Sequence, residues 1–459
     1  MTGRTGETGE TGEMGETGEH DASARPRTGD LTLYATGSIG MGVWVTVPGL
    51  LLLYFLTRTL GVPAFLAGTT LLLPKIVDVV AHPLLGSLTD RRARRTGHRR
   101  GLLRVGLWLT AAWIALFSVP EGLSGTPAAL WVGCCCVAGN LLFACFQVPY
   151  LTTPSDLRIG YHERTRVFMF RMVFLTLGLL VAGVAAPALV ASGGHRAYAR
   201  MALLLAGLLI ASQLVALTGV RRLTERCGFR LPDEHAHSAR DDIRAAWRDH
   251  DFRALALSYL CTGTTTHLFL AAVPFYTEYV LDDRDLTAVL MGAFLVPATV
   301  AGPGWLRVSR RIGKQSGLLL SQAVFAAGSL ALAASGRLGA AGAAVLVLVA
   351  ALGTAFAGLQ LFAFSMVPDA VAAAETRGRA RAGAYTGVWT ATEAAGTALG
   401  PYVYATVLAL GGFVSTTGGR SVRQSHTAHL ALLLGITVLP AVFMAVAMAC
   451  QRRCGLDRR

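Results

Sequence analysis

"LLLPKIVDVVAHPLLGSLTDRRARRTGHRR", from Leu71 to Arg100, joins two kinds of sequence. Its first half belongs to an apolar run, 62–87, long enough to cross a hydrocarbon core of ~30 Å at ~1.5 Å per residue. Its second half is a short basic loop. The apolar half nevertheless carries Lys75, Asp78 and His82. An ionisable group at mid-bilayer costs about 2.5–3.5 kcal/mol on insertion scales and persists where it faces protein or water. Lys75, Asp78, His82 and Gly86 fall at i, i+3, i+7 and i+11, one face of a helix. The spacing turns all three ionisable groups away from lipid and towards the protein interior.

The same alternation of apolar run and short loop extends along the chain. Spans are expected at 32–57, 62–87, 101–119, 127–151, 165–192, 199–220, 253–280, 286–308, 316–336, 339–367, 382–412 and 427–450. Of the 459 residues, 53% are hydrophobic and 15% charged, against about 25% charged in a soluble domain. Continuous rather than alternating hydrophobicity excludes a β-barrel, and no cleavable signal peptide is expected from the polar N-terminus. The expected fold is an all-α integral membrane protein with twelve transmembrane helices in two pseudo-symmetric six-helix bundles.

The net charge is +14. Its basic residues gather in alternate loops, such as "DRRARRTGHRR", "DLRIGYHERTR", "RVSRRIGK" and "ETRGRARAG", while "VPEGLSGTPA" and "LDDRDLT" are poor in Lys and Arg. That asymmetry is the positive-inside pattern and places both termini in the cytoplasm. The basic charge therefore does not imply a nucleic-acid partner; the expected partners are a small-molecule substrate and the lipid bilayer of the cell membrane, with the chain a monomer.

The organisation reads as a disordered cytoplasmic tail, 1–30, a bundle at 31–220, a cytoplasmic linker at 221–252, a second bundle at 253–450 and a basic tail at 451–459. "GSLTDRRARRTGHRR" after the second span and "GWLRVSRRIGKQSG" at the end of the eighth are similar loops at matching places, as duplicated halves would give. No HExxH, CxxC or GxSxG pattern supports an enzyme, and no Walker A motif supports ATP-driven transport. Cys134, Cys135 and Cys136 are consecutive in one helix and point three ways, so one segment offers no tetrahedral metal site.

"DVVAHPLLGSLTDRRARRTGHRR" (78–100), "VPYLTTPSDLRIGYHERTRVFMFRMVF" (148–174) and "SMVPDAVAAAETRGRARAGAYTGVWTATEAAG" (365–396) resemble the glycoside–pentoside–hexuronide:cation symporters, the melibiose-permease branch of the major facilitator superfamily. The resemblance covers nearly all of the helical region. It implies a cation-coupled carrier in which carboxylates of the second and fourth spans hold the ion. Beside it, a sugar is held by a first-span Asp, the fourth-span carboxylate and a fifth-span Arg.

Carried over, Asp78 matches the first second-span carboxylate, His82 stands at the second, Gln147 at the fourth-span carboxylate and Leu151 at the following Trp. Arg171 matches the fifth-span Arg and Lys75 the basic residue before Asp78, while the first-span Asp falls at Gly42 and an eleventh-span Lys at Glu393. The sugar anchor is thus absent and most of the sodium cage is missing.

These departures favour a proton over sodium as coupling ion, since an imidazole removes both a charge and an oxygen ligand, whereas a histidine titrates near neutrality. Asp78, His82 and Glu393 are the candidate coupling residues, with no cofactor or metal. The alternative is that Lys75 and Asp78 neutralise each other around an interior His82, and that Glu393 is an interhelical lock for which Arg171 is a candidate partner. Lys75, Asn140, Gln147, Arg171, Tyr385, Trp389 and His267 are the candidate substrate contacts. Asp90, Arg91, Asp156, Glu163, Arg164, Arg377 and Arg381 are the candidate cytoplasmic gate, or no more than positive-inside charge. The expected function is secondary active transport of a small organic solute by alternating access. A proton-driven exporter or a carrier of an amphiphilic or lipid-like compound is the second reading, and a transport-inactive receptor a third.

Overall fold

The computed structural model describes residues 25–229, 247–337, 342–375, 382–419 and 422–455, and each of the twelve expected spans coincides with a helix or a broken helix. In chain order these are α1 (Thr28–Arg58), α2 (Ala64–Thr96), α3 (Arg100–Phe117), α4 (Gly125–Asp156), α5 (Tyr161–Val190), α6 (Gly194–Cys227) and α7 (His250–Tyr279). They continue as α8 (Leu286–Val300 with Gly302–Ile312), α9 (Lys314–Arg337), α10 (Gly342–Glu375), α11 (Ala382–Leu410) and α12 (His426–Gln451). Nine helices among the described residues are long and apolar enough to cross a membrane, ten with the two arms of α8, which meet at 51°. Pro303, at the start of the second arm, has no N–H to continue the first. In α1 the proline Pro48 opens a π-helical turn, Pro48–Leu52.

The sequence boundaries shift in three places. α1 begins at Thr28, inside the segment read as tail. α6 continues past residue 220 to Cys227, because Arg221 and Glu225 pair along the exposed end of the helix at 2.9 Å. The last basic residues do not trail freely either: Gln315 Nε2 donates to the carbonyls of Gln451 and Cys454, and Gly455 N donates to Asp251 Oδ1.

The packing partners repeat between halves. α1 packs on α5 and α6, α2 on α4, and α3 on α4 and α6; α7 packs on α11 and α12, α8 on α10, and α9 on α10 and α12. Adding six to each helix number of the first set gives the second, so the weak repeat in the loops reflects a duplicated three-dimensional unit. The halves meet where α2 packs on α11, α5 on α8, and α1 on α7, contacts that the same two-fold interchanges.

Close approach of these helices depends on absent side chains. A Cβ on Gly42 of α1 would lie 2.7 Å from the Leu179 nitrogen of α5, and one on Gly178 would lie 2.6 Å from the Ile39 carbonyl oxygen. In the other half, a Cβ on Gly400 of α11 would lie 2.5 Å from the Leu268 nitrogen of α7.

Candidate functional site

The inward stripe of α2 meets α4. Asp78 is 6% exposed and lies between two basic groups of its own helix: Lys75 Nζ is 3.3 Å from Oδ2 and His82 Nδ1 is 3.1 Å from Oδ1. Nδ1 is also 2.9 Å from the Asp78 backbone carbonyl, its better-aligned partner, so Oδ1 gains proximity without a hydrogen bond of its own. His82 Nε2 reaches Gln147 Oε1 of α4 at 3.1 Å. Asn140 Nδ2, further back on α4, donates to the Pro74 carbonyl at 3.4 Å. Lys75, Asp78, His82, Gln147 and Asn140 are therefore brought together.

The chemistry of this cluster follows from its acceptors. As placed, both ring nitrogens of His82 face oxygen, which an imidazolium with two N–H groups satisfies. A neutral ring needs Gln147 to turn its amide over and present its NH2 to Nε2. The charge on α2 and the amide orientation on α4 are then linked.

The second cluster lies in the other half. Trp389 of α11 stacks on Tyr259 of α7 with ring centroids 4.3 Å apart, and Phe364 of α10 meets both edge-on. The Tyr259 hydroxyl donates to Gln360 Oε1 at 3.4 Å, while the buried Trp389 Nε1 has no hydrogen-bond partner among the described residues. Glu393 lies one turn further along α11 and has no ion-pair partner among the described residues. Arg171 on α5 does not pair with it: Arg171 lies over the Phe168 ring at 5.5 Å.

Two candidate substrate contacts sit elsewhere. The Tyr385 hydroxyl donates to Asp249 Oδ2 at 3.1 Å and its ring packs edge-on to Phe252. Tyr385 belongs to the first turn of α11, at the bundle end, and ties α11 to Asp249, the residue that caps the N-terminus of α7 through Oδ1. His267 commits Nδ1 to the Gly263 carbonyl of its own helix at 2.9 Å, and its Cβ borders Gly400, so it occupies the seam between α7 and α11.

At the end of the bundle with the basic loops, the ion pairs of the described residues each lie within one half. Asp156 accepts from Arg99 (Nε to Oδ2, 2.5 Å), Glu163 is 3.5 Å from Arg166, and Lys314 meets Asp369 at 2.5 Å. Arg91 is exposed and Arg164 half-buried. The Asp90 side chain, Arg377 and Arg381 lie outside the described residues. The pairs described for Asp156 and Glu163 are with residues of their own half.

The opposite end contains a network that the sequence did not indicate. Arg58, at the C-terminal end of α1, is 0% exposed and Glu278 of α7 is 8% exposed. Arg58 Nε donates to Glu278 Oε2 at 3.0 Å, Tyr54 of α1 donates to the same oxygen at 2.6 Å, and Arg284 Nε donates to Oε1 at 3.0 Å. Arg58 also donates to the Thr416 hydroxyl, and its guanidinium lies 5.2 Å from the Tyr279 ring centroid.

The backbone closes the same seam. The last carbonyls of a helix have no partner within it. Those of Thr57, Thr59 and Arg58 instead accept at 2.9 Å from the nitrogens of Thr416, Gly418 and Gly419, in the loop between α11 and α12. Gly418 and Gly419 have φ of 67° and 73°, a region open to glycine at little cost. One half supplies the acceptors and the other the donors.

Compared with known proteins, residues 33–458 match the family described as MFS/sugar transport protein. A proposed sulfoquinovose importer of Salmonella typhimurium is 26% identical over 442 residues, 90% of this chain and 86% of that protein. The isoprimeverose transporter of Lactiplantibacillus pentosus is 24% identical over 374 residues, covering 79% and 76%. An uncharacterized symporter of Synechocystis is 33% identical, but over 147 residues, 31% of this chain and 27% of that protein. Among solved structures, the nucleoside transporter NupG is similar with a TM-score of 0.63 at 15% identity, covering 92% of this chain and 99% of that one.

The helical spans define a multi-pass membrane protein, and the family match makes it a secondary transporter of a small molecule rather than an enzyme. The chain belongs to the MFS/sugar transport protein family of the major facilitator superfamily, with the character of its glycoside/cation symporters.

Proposed function

We propose that this transporter couples solute movement to protons through Asp78 and His82, in the cell membrane, as a monomer with both termini in the cytoplasm. The carrying observation is the chain from Asp78 through His82 to Gln147. It places one titratable ring between a carboxylate of α2 and an amide of α4, and both contacts change character when the ring changes charge. Sodium would meet one carboxylate and one amide oxygen beside an imidazole and an ammonium group, a poor set for a hard cation that takes oxygen ligands. With the basic loops in the cytoplasm, the Arg58–Glu278 network closes the external end, so this conformer faces inwards. Opening that seam, while the basic end closes, completes alternating access.

The relatives named for isoprimeverose and sulfoquinovose supply the first solutes to try. A carrier of an amphiphilic compound is the second reading. It is supported by Gly42, which is closed against α5 and leaves α1 without a carboxylate for sugar hydroxyls at that position. The test is proteoliposomes with a trapped pH indicator, given isoprimeverose or sulfoquinovose under an imposed pH or sodium gradient. Proton entry with the solute, lost in His82→Gln, is expected. Uptake driven by sodium alone and indifferent to His82→Gln refutes the proposal.

A further inference from the structure

At the sealed end Arg58 and Arg284 share the carboxylate of Glu278, so two guanidinium groups face one anion. The aspartates around Arg284 in the chain, Asp282, Asp283 and Asp285, are exposed and pair with neither arginine among the described residues. Arg284 commits Nε to Glu278, and Nη2 to Glu278 and the Gly419 carbonyl. Its Nη1 has no acceptor among the described residues and lies 3.2 Å from the place that a Cβ of Gly193 would take.

Gly193 immediately precedes α6, and no side chain caps that helix. The first N–H groups of a helix lack partners within it and form the positive end of its dipole. A guanidinium against that end has the wrong sign, and the two repel unless an anion lies between them.

A cavity of about 30 Å³ lies at this point, with Arg58, Thr59, Gly193, Gly194, Tyr198 and Arg284 in its lining and no carboxylate among the described residues that line it. Tyr198 is 1% exposed and its ring lies 4.3 Å from that of Phe55, yet its hydroxyl is buried with no hydrogen-bond partner among the described residues. One water needs about 10–15 Å³, so the cavity takes two waters or one monatomic anion and is too small for a sugar. Water must also place two hydrogens of its own. A halide accepts from every donor and adds the missing negative charge.

We infer that this cavity is a halide site, filled by chloride while the external seam is closed, with the Tyr198 hydroxyl, Arg284 Nη1 and the first N–H groups of α6 as donors. Tyr198 and α6 belong to the first half and Arg284 to the second, so opening the seam dismantles the site. Chloride therefore favours the inward-facing conformer. This rests on the closed seam and is independent of the coupling ion and of the solute.

The test is the melting temperature of the full chain in nanodiscs in sodium chloride, bromide or gluconate at equal ionic strength, with chloride affinity read from line broadening in chlorine NMR. Melting is expected to rise and saturate with chloride and bromide but not with gluconate. Tyr198→Phe keeps the ring and is expected to weaken chloride binding about tenfold or more. It is expected to leave melting in gluconate unlowered, since the hydroxyl has no partner to lose. Arg284→Lys, which keeps the charge but not the planar fork, is expected to weaken chloride binding as well. Tyr198 and Arg284 acting only in packing and in the ion pair would leave the halide response as in the parent. Equal melting in chloride and gluconate, or chloride affinity unchanged in either variant, overturns the inference and leaves the cavity to water.

Discussion

Replacing Glu278 by Gln removes the one anion that Arg58 and Arg284 share while nearly preserving volume. Arg58 is 0% exposed in the closed seam, and removing one partner of a buried pair costs about 3–5 kcal/mol, because the other charge remains desolvated. Arg284 is more exposed and is relieved by water, so the lower figure applies. In the open state both arginines are hydrated, and the cost falls on the closed state alone. About 3 kcal/mol at ~1.4 kcal/mol per tenfold shifts the closed-to-open ratio by roughly 100-fold. A seam closed about 99% of the time would then be open about half the time.

The assay is alkylation of Leu51→Cys, a position 2% exposed beside the seam, in protein whose native cysteines are replaced. A membrane-impermeant maleimide is added from the seam side. Labelling is expected to be slow in the parent and up to about 100-fold faster with Glu278→Gln. Tyr54→Phe, which removes one hydrogen bond to Glu278, is expected to give a smaller increase of about tenfold. Equal labelling in the parent and Glu278→Gln would show that the backbone contacts of Thr416–Gly419 close the seam unaided, and refutes the ion-pair argument.

Gly418→Ala is expected to destabilise the same closed state by about 1–2 kcal/mol. A methyl group there meets nothing within 4 Å, so the effect is conformational and appears as faster labelling of the same reporter. Gly42→Asp, which restores the carboxylate implied by family resemblance, is expected to lower the melting temperature and give no sugar binding, since the new side chain meets α5 and buries an unpaired charge. Arg99→Ala removes the buried guanidinium from which Asp156 accepts at 2.5 Å; a loss of about 3 kcal/mol is expected in denaturation, with seam labelling unchanged because that pair lies within one half.

Much of the N-terminal cluster was legible from spacing. Lys75, Asp78 and His82 share a face whatever α2 packs against, because an α-helix fixes that geometry locally. Their link to Gln147, 65 residues away, was accessible only through family resemblance. Tyr385 read as a substrate contact because it shares a helix with Trp389, but its depth and direction tie it to Asp249. Arg58 and Glu278 are 220 residues apart. In sequence each is a single charge near the end of an apolar run, as terminal anchoring would also require. The signal that remained was Arg284, a lone base in an otherwise acidic loop.

The sequence alone determined that the chain crosses a bilayer repeatedly, where each span lies and on which face of α2 the embedded charges fall. Hydrophobic length and helical period are properties of contiguous residues. Tertiary structure decided which charges meet, which end is sealed and which groups remain unpaired. Those outcomes depend on glycine-mediated approach and rotation of helices distant in sequence, and the balance between desolvation and pairing is settled only when two such helices are in contact.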